Sequence, residues 1–205
     1  KVARLTFLPI GSDMNASIYK TKAHDQSSYF IKLKRGHHHD ISATIIALLH
    51  EAGIQHIIPP IKTKHGQPIV HIDDFTLIAS PFVEGQDGFN RDLTEDQWVT
   101  LGKVIRQIHE IDVPPSIQLM IRREDCSPKW REAVRSLYAH IEHEPSTDEI
   151  SSKLITFMKN QAAVVHRLVD RAEQLGKQIQ DQLPELVLCH SDIHGGNVLM
   201  DGNDI

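Results

Sequence analysis

Cys189-His190-Ser191-Asp192-Ile193-His194-Gly195-Gly196-Asn197 is the stretch whose reading decides the fold of this chain. It packs two histidines, an aspartate and an asparagine between two short apolar runs, Leu186-Val187-Leu188-Cys189 and Val198-Leu199-Met200. Runs of that length and character predict strands, and strands aim the loop between them with the accuracy that chemistry needs. Asp192 and Asn197 stand five apart. The spacing predicts a loop that turns back until both side-chain oxygens face one point, with Gly195 and Gly196 giving the backbone latitude for the turn. A carboxylate and an amide oxygen so placed suit different tasks: taking a proton from a hydroxyl, and holding a hard cation such as Mg2+. The bland alternative is a polar hairpin loop with an Asx turn at Asp192.

His-x-Asp followed by four residues and Asn is the catalytic-loop pattern of protein kinases, here without the Arg. There the Asp orients and deprotonates the acceptor hydroxyl and the Asn binds metal. Such a reading demands further parts upstream. A lysine on the third strand must hold the α- and β-phosphates, and Tyr29-Phe30-Ile31-Lys32-Leu33-Lys34 offers Lys32 among apolar neighbours. A lysine in that setting loses solvation unless it finds an anion; the alternative is a solvated face shared with Lys34. Pro9-Ile10-Gly11-Ser12-Asp13-Met14-Asn15 lies between two strands, where a phosphate-covering loop belongs. Gly11 supplies latitude, and Ser12 and Asn15 either donate hydrogen bonds to phosphate or merely form the turn; with one glycine the signal is weak. In Ala79-Ser80-Pro81-Phe82-Val83-Glu84-Gly85, the Pro81 carbonyl and the Val83 N–H offer the acceptor and donor that an adenine edge requires.

Around these motifs the chain changes character near residue 84. Ala16 to Thr21, Ser28 to Lys34, Pro68 to Ile72 and Phe75 to Phe82 read as strands, with a helix at Ile41 to Glu51 carried by Ile41, Ile45, Leu48 and Leu49 and ended by Gly53. The predicted order is strand, strand, strand, helix, strand, strand. After Gly85 the pattern is helical. Thr94 and Gln97 predict a capping box, with Leu93 and Trp98 as a hydrophobic staple. The run through Trp98, Leu101, Val104, Ile105, Ile108 and Ile111 stops at Pro114. Further helices are expected at Pro128 to Ile141, with Trp130, Val134 and Leu137 on one stripe, and at Glu149 to Gln180, through Leu154, Phe157, Ala162, Val165 and Leu168. Asp201-Gly202 predicts a hairpin turn.

Composition sets outer bounds. The chain has 205 residues, 40% hydrophobic and 24% charged, which excludes disordered, collagen-like and fibrous classes. A formal net charge of −5 argues against a nucleic-acid binder and fits a cationic or metal-chelated ligand. No apolar run approaches the ~18 residues of a membrane span, and with no charged-then-apolar run at its start the chain is not expected to be secreted. Cys126 and Cys189 form no CxxC pair, so a reducing cytoplasm is the expected compartment. The chain starts at Lys1 and ends just after a turn, so both ends are expected to be cut.

These segments together resemble the aminoglycoside phosphotransferases, small-molecule kinases with a protein-kinase-like fold. Besides the loop and the Lys32 strand, Leu101-Gly102-Lys103-Val104-Ile105-Arg106-Gln107-Ile108-His109-Glu110, Pro128-Lys129-Trp130-Arg131-Glu132 and His166-Arg167-Leu168-Val169-Asp170 look most like the spectinomycin phosphotransferase branch. The resemblance implies an α+β, two-lobe, kinase-like fold, incomplete in this chain. A nucleotide-binding lobe would span 1–80, a hinge 81–85, and a helical lobe carrying the catalytic loop 86–205. It implies ATP and Mg2+ as cofactors and transfer of the γ-phosphoryl group to a hydroxyl of an aminocyclitol antibiotic. Lys32 with Gly11, Ser12 and Asn15 would hold phosphates, Pro81 and Val83 adenine, Asp192 would be the base and Asn197 the metal ligand.

Two departures stand beside the likeness. After Asn197 nothing matches the family's Ile-Asp-Trp-Asp-type segment, whose first Asp bridges Mg2+ to phosphate; Asp201 and Asp204 come too early. The acid that pairs with the strand lysine is also unassigned. Asp40 reads as a helix N-cap, and Glu51 lies near the other end. A nucleotide binder without turnover is therefore the second reading. A metallophosphoesterase, from the Asp192-Ile193-His194-Gly195 run, is a more distant third. His37-His38-His39 with Asp40 is expected to be a solvated loop rather than a closed Zn2+ or Ni2+ site, and the two thiols structural rather than nucleophilic.

Overall fold

β-Branched and aromatic residues alternate with polar ones through the first eighty positions, and they pair as an antiparallel sheet. The computed structural model describes residues 2–11, 13–36, 41–143, 148–182, 185–202 and 204–205. Two compact units result, residues 1–121 with 187–205, and residues 122–186.

In the first unit β1 (Val2–Leu8), β2 (Ala16–Ala23), β3 (Ser28–Arg35), β5 (Phe75–Pro81) and β4 (Val70–Ile72) lie side by side in that order. All pairs are antiparallel. Strand register puts Lys32 opposite Ile18 on β2 and Ile78 on β5. Because side chains alternate, Lys32 and Lys34 share one face with Ile18 and with Thr76, the partner of Lys34. Ile18 and Thr76 are 7% and 0% exposed, so the two lysines do not stand on an open solvated face.

The expected helix forms as α1 (Ile41–Glu51). Gly53, at φ +93°, ends it, its N–H bonding the His50 carbonyl at 3.0 Å. Of the predicted stripe Leu49 is buried and Ile41, Ile45 and Leu48 are half-buried, while the other buried positions are Ala43 and Ala47. Leu49 and Ile54 pack with Val104 and Ile108, and Ile45, Ile57, Ile111 and Leu188 close around them. Each such side chain contributes about 1.5–3 kcal/mol by leaving water.

Val104 and Ile108 belong to α2 (Glu95–Glu110), which opens with the predicted capping box. The Thr94 hydroxyl accepts from the Gln97 amide at 3.3 Å, and the Gln97 side-chain oxygen accepts from the Thr94 amide at 3.0 Å. Gln97 is 2% exposed whereas Trp98 is 59% exposed, so the amide, not the indole, is buried at the head of this helix. Gln97 Nε2 has the Asp204 and Gly202 carbonyls at 3.4 and 3.5 Å, which explains how a polar side chain fits there. A further turn of helix, α3 (Pro115–Gln118), follows Pro114; proline at a first helical position needs no N–H partner.

The strand expected at Leu186–Cys189 does not form. Val198–Met200 shortens to β7 (Leu199–Met200), and its partner is β6 (Gln86–Asp87), just beyond the predicted hinge. Leu188 of that run instead packs against the core of Leu49, Ile54, Val104 and Ile108. The turn after Met200 is real: Asp201 and Asp204 exchange N–H···O bonds of 3.1 and 3.0 Å around Gly202 at φ +60°.

The second unit is a helix pair, α4 (Lys129–His143) and α5 (Glu149–Gln182). Tyr138 donates to the Met158 carbonyl at 3.3 Å, while Arg135 binds Asp170 at 3.1 Å and Glu173 at 2.5 Å, so the helices run antiparallel. Tyr138, Ile141, Val169 and Gly176 make the buried seam. Trp130, Leu154, Phe157 and Leu168 from the predicted stripes are 56–68% exposed, because one helix partner covers only a narrow line of its neighbour. Arg135, then Lys177, hold the Glu173 carboxyl down at about 2 against an ordinary 4.5. The lowered value makes the contribution of Glu173 complete above pH 4.5 and lost as pH falls through about 2. Acid titration of helicity should therefore show a transition in that window, and Glu173→Gln should remove its Glu173-dependent part; an unchanged acid limb would contradict the assignment.

Candidate active site

The catalytic-loop candidate folds as a single 3-10 turn, Gly195–Asn197, capped by His194. The left-handed residue of the loop is Ser191 (φ +65°), not a glycine. Gly195 and Gly196 are needed for another reason. A Cβ on Gly195 would meet the Gly88 carbonyl carbon at 2.9 Å and oxygen at 3.0 Å, and one on Gly196 would meet Phe89 at 2.9 Å. The expected latitude is thus close approach rather than unusual φ. Gly88 N–H donates to the Gly195 oxygen at 2.8 Å, so the loop is laid directly on the segment that follows β5. Asp87 shapes that segment: its Oδ1 accepts from the Phe89 and Asn90 amides at 3.1 Å each and from Asn90 Nδ2 at 2.7 Å.

Inside the turn Asp192 and Asn197 come together, but it is the amide nitrogen of Asn197, not its oxygen, that faces the carboxylate. Asn197 Nδ2 donates to the Asp192 main-chain oxygen at 2.8 Å and to its Oδ2 at 3.0 Å. The same nitrogen stands 3.1 Å from His194 Nε2, and no hydrogen bond to Asn197 Oδ1 or Asp192 Oδ1 is found among the described residues. The Asp192 side chain is 75% exposed, and the nearest ring nitrogen, His194 Nε2, stands 3.9 Å from Oδ1. His190 Nδ1 accepts the Asp192 amide at 3.3 Å, fixing the start of the loop. Among the described residues no group of three or more His, Cys, Asp or Glu converges as metal ligands. An Mg2+ at Asn197 Oδ1 would need phosphate oxygens to complete its shell, which agrees with an amide oxygen as a hard donor.

The sheet residues stand as follows. Lys32 is half-buried on β3, in the same compact unit as the loop, and no hydrogen bond or ion pair joins it to Asp192. Asp13 is the carboxylate beside the strand lysines, 3.5 Å from Lys34. The Asn15 amide holds the Asp13 carboxyl below its ordinary value, with Lys34 and Lys32 adding to the effect against some desolvation. Glu51 pairs with Lys62 and is therefore spent as a partner for Lys32. Gly11 sits at φ +89°, a conformation that favours glycine, and Asn15 is exposed with its carbonyl bound by the Arg35 amide at 2.8 Å. Ser12, His37, His38, His39 and Asp40 lie outside the described residues. Pro81 closes β5 and Val83 follows; the amide between them, that of Phe82, donates to the Ser28 oxygen at 3.0 Å. Cys126 and Cys189 are free thiols, and no helix among the described residues is long and apolar enough to cross a membrane.

Asp87, Gly88, Phe89 and Ser191 were not singled out by sequence. The Asp87-Gly88-Phe89-Asn90 run is a turn signal, but nothing in it points to a partner more than a hundred positions away.

An antiparallel sheet with one inserted helix, a linker, and a loop presenting Asp and Asn define a kinase-like fold. The model of the phosphotransferase enzyme family, APH, matches residues 6–205, and the chain belongs to that family. It is similar to the crystal structure of spectinomycin phosphotransferase APH(9)-Ia in complex with ADP and spectinomycin, at 46% identity and a TM-score of 0.86, over 98% of this chain and 61% of that one. The AMP-bound complex of that enzyme matches at 45% identity and a TM-score of 0.82, over 97% and 60%. An amicoumacin kinase in complex with AMP-PNP and Ca2+ shares the fold at 18% identity and a TM-score of 0.58, over 98% and 56%. The chain thus spans about three-fifths of the length of these structures. The comparison with curated proteins returned no match.

Gly195→Ala should be the most damaging single-methyl change in the loop, because the atoms it meets are backbone and cannot swing away. We expect a loss of about 1–3 kcal/mol, read as a lower midpoint in chemical denaturation, whereas Gly102→Ala, whose Cβ meets nothing within 4 Å, should not destabilise. Equal midpoints for the two variants would contradict the close backbone contact.

Proposed function

We propose that this chain is the nucleotide-binding and catalytic-loop portion of an ATP-dependent phosphotransferase that acts on a hydroxyl of an aminocyclitol antibiotic, spectinomycin first among them. One observation carries the reading. Asn197 Nδ2 donates to Asp192, and no hydrogen bond to Asn197 Oδ1 or Asp192 Oδ1 is found among the described residues. The 46% identity to a protein crystallised with ADP and spectinomycin supports the substrate pair.

In this reading residues 1–80 hold the nucleotide, 81–85 act as hinge, and 86–205 carry the loop. Lys32 draws the α- and β-phosphates, with Gly11, Ser12 and Asn15 in the loop over them. In an extended run alternate residues present their backbone groups to opposite edges. With the Phe82 amide directed at β3, the Pro81 carbonyl and Val83 N–H face the other way, as an adenine edge needs. Asp192 Oδ1 accepts the proton of the acceptor hydroxyl while that oxygen bonds to the γ-phosphorus. The bond from phosphorus to the β–γ bridging oxygen breaks, and ADP leaves with its electron pair. Asn197 Oδ1 would hold Mg2+, which when bound neutralises phosphate charge. Coverage of 61% of the related enzyme favours one second reading, a nucleotide-binding portion that does not turn over by itself.

Spectinomycin-dependent ADP release and ATP affinity, measured together, test the proposal. Asp192→Ala should lower release about 10²–10⁴-fold and leave nucleotide affinity unchanged. Retained release in that variant removes Asp192 as the base. ATP binding with no spectinomycin-dependent release in the parent chain supports the second reading, and failure to bind ATP overturns both.

A further inference from the structure

The helix pair of the second unit leaves its apolar surface on one side. Beside the buried seam of Tyr138, Ile141, Val169 and Gly176 stand Leu137, Leu168 and Leu175, each one residue before a seam position and each exposed. Trp130 on α4 and Leu154 and Phe157 on α5 continue these stripes at steps of three, four and seven residues, and they too are exposed. A step of one residue turns about 100° around a helix. Because α4 and α5 are antiparallel, the same backward step on each brings both stripes to one side of the pair. The opposite side is polar, and there Arg135 binds Asp170 and Glu173.

All seven exposed large apolar residues of α5 fall within this one stripe, about a quarter of its circumference. A single aromatic side chain carries ~150–250 Å2, so the face exceeds the ~300–600 Å2 of the largest apolar patch on a typical monomer. Two antiparallel helices that are open on one side accept a third along the groove between them.

Charge narrows what can lie there. The outer rim of the α5 stripe carries Arg167 and Arg171, exposed and without an ion pair among the described residues. Lys153 on that rim is offset by Glu149. The rim of α4 carries Lys129, 5.0 Å from the centre of the Trp130 ring. A second copy laid face to face would bring like charges together, which disfavours it. The spectinomycin phosphotransferase that is 46% identical is spanned by this chain over 61% of its length, and the rest of that enzyme lies outside the match.

We propose that the α4–α5 face seats one further amphipathic helix, apolar along one stripe and acid-flanked, supplied by the remaining part of the phosphotransferase polypeptide. This rests on the reading, given above, of the chain as a portion of such an enzyme. The added helix covers Trp130, Phe157 and Leu168 and sets its acids against Arg167 and Arg171.

Trp130, made the sole tryptophan by Trp98→Phe, reports on the face through acrylamide quenching, and two probes are added to the full chain. A leucine-striped helical peptide flanked by glutamate should shield Trp130 and bind about tenfold more tightly than the same peptide flanked by lysine. Arg167→Glu with Arg171→Glu should reverse that order. Equal binding of the two peptides overturns the acid-flanked partner. The unmatched part of the related spectinomycin phosphotransferase, co-expressed with the chain, should give a 1:1 complex in sedimentation with Trp130 shielded. Leu168→Asp should weaken that complex on the order of 30-fold while keeping the parent's helicity and melting, since Leu168 is exposed. A chain that is already dimeric with Trp130 shielded, and monomeric in Leu168→Asp, gives the face to a second copy and overturns the proposal. So does a complex that leaves Trp130 open, or no complex where the glutamate peptide binds. None of these readings uses turnover, so failure of the antibiotic assay is a separate result.

Discussion

Two glycines with no room between them hold this site together. Gly88 and Gly195 meet backbone to backbone, and a methyl on either would come within about 3 Å of the other's main chain. That approach allows the 2.8 Å bond from the Gly88 amide to the Gly195 oxygen, and beside it the short β6–β7 ladder. Gly85 repeats the constraint one step earlier, since a Cβ there would lie 2.9 Å from the Met200 oxygen. Met200 is itself 1% exposed. The loop is thus not a free excursion between strands. It is pressed onto the chain leaving the linker, which fixes where its acid and amide point.

The same contact gives a polar, exposed loop the rigidity that burial would otherwise provide. Asp192 is 75% exposed, and an exposed carboxylate has no packing to orient it. Orientation comes instead from short local bonds: His190 to the Asp192 amide, Asn197 to the Asp192 carbonyl and Oδ2, and His194 to the Gly196 amide. Each link is modest, about 0.5–1.5 kcal/mol by itself. They share atoms, however, so loss of Asn197 would release Asp192 at two points at once.

The sequence made the local parts of this arrangement readable and hid the distant ones. The Asp192–Asn197 pairing, the capping box at Thr94 and Gln97, and the end of α1 at Gly53 depend on residues within five positions of each other, where spacing sets geometry. The burial of Gln97 and the β6–β7 pairing depend on partners more than a hundred positions away. Apolar runs misled for the same reason. Leu186–Cys189 has the composition of a strand but forms none, with Leu188 packed against the core instead, and Trp98, Trp130 and Phe157 have helical spacing but no surface against them. Periodicity states what a residue can bury, and topology decides whether it does.

Charge on the sheet follows a similar logic. Lys32 and Lys34 share a face with Ile18 and Thr76, and two ammonium groups so placed repel each other unless an anion lies near. Asp13 meets part of that need, with its carboxyl kept ionised by the Asn15 amide and by both lysines. It reaches Lys34 at 3.5 Å, whereas Lys32 has no ion pair among the described residues. Glu51, the acid of the described helix α1, is turned to Lys62. Lys32 is the lysine to which the proposed function gives the phosphates, and its charge has the sign that such a ligand would meet.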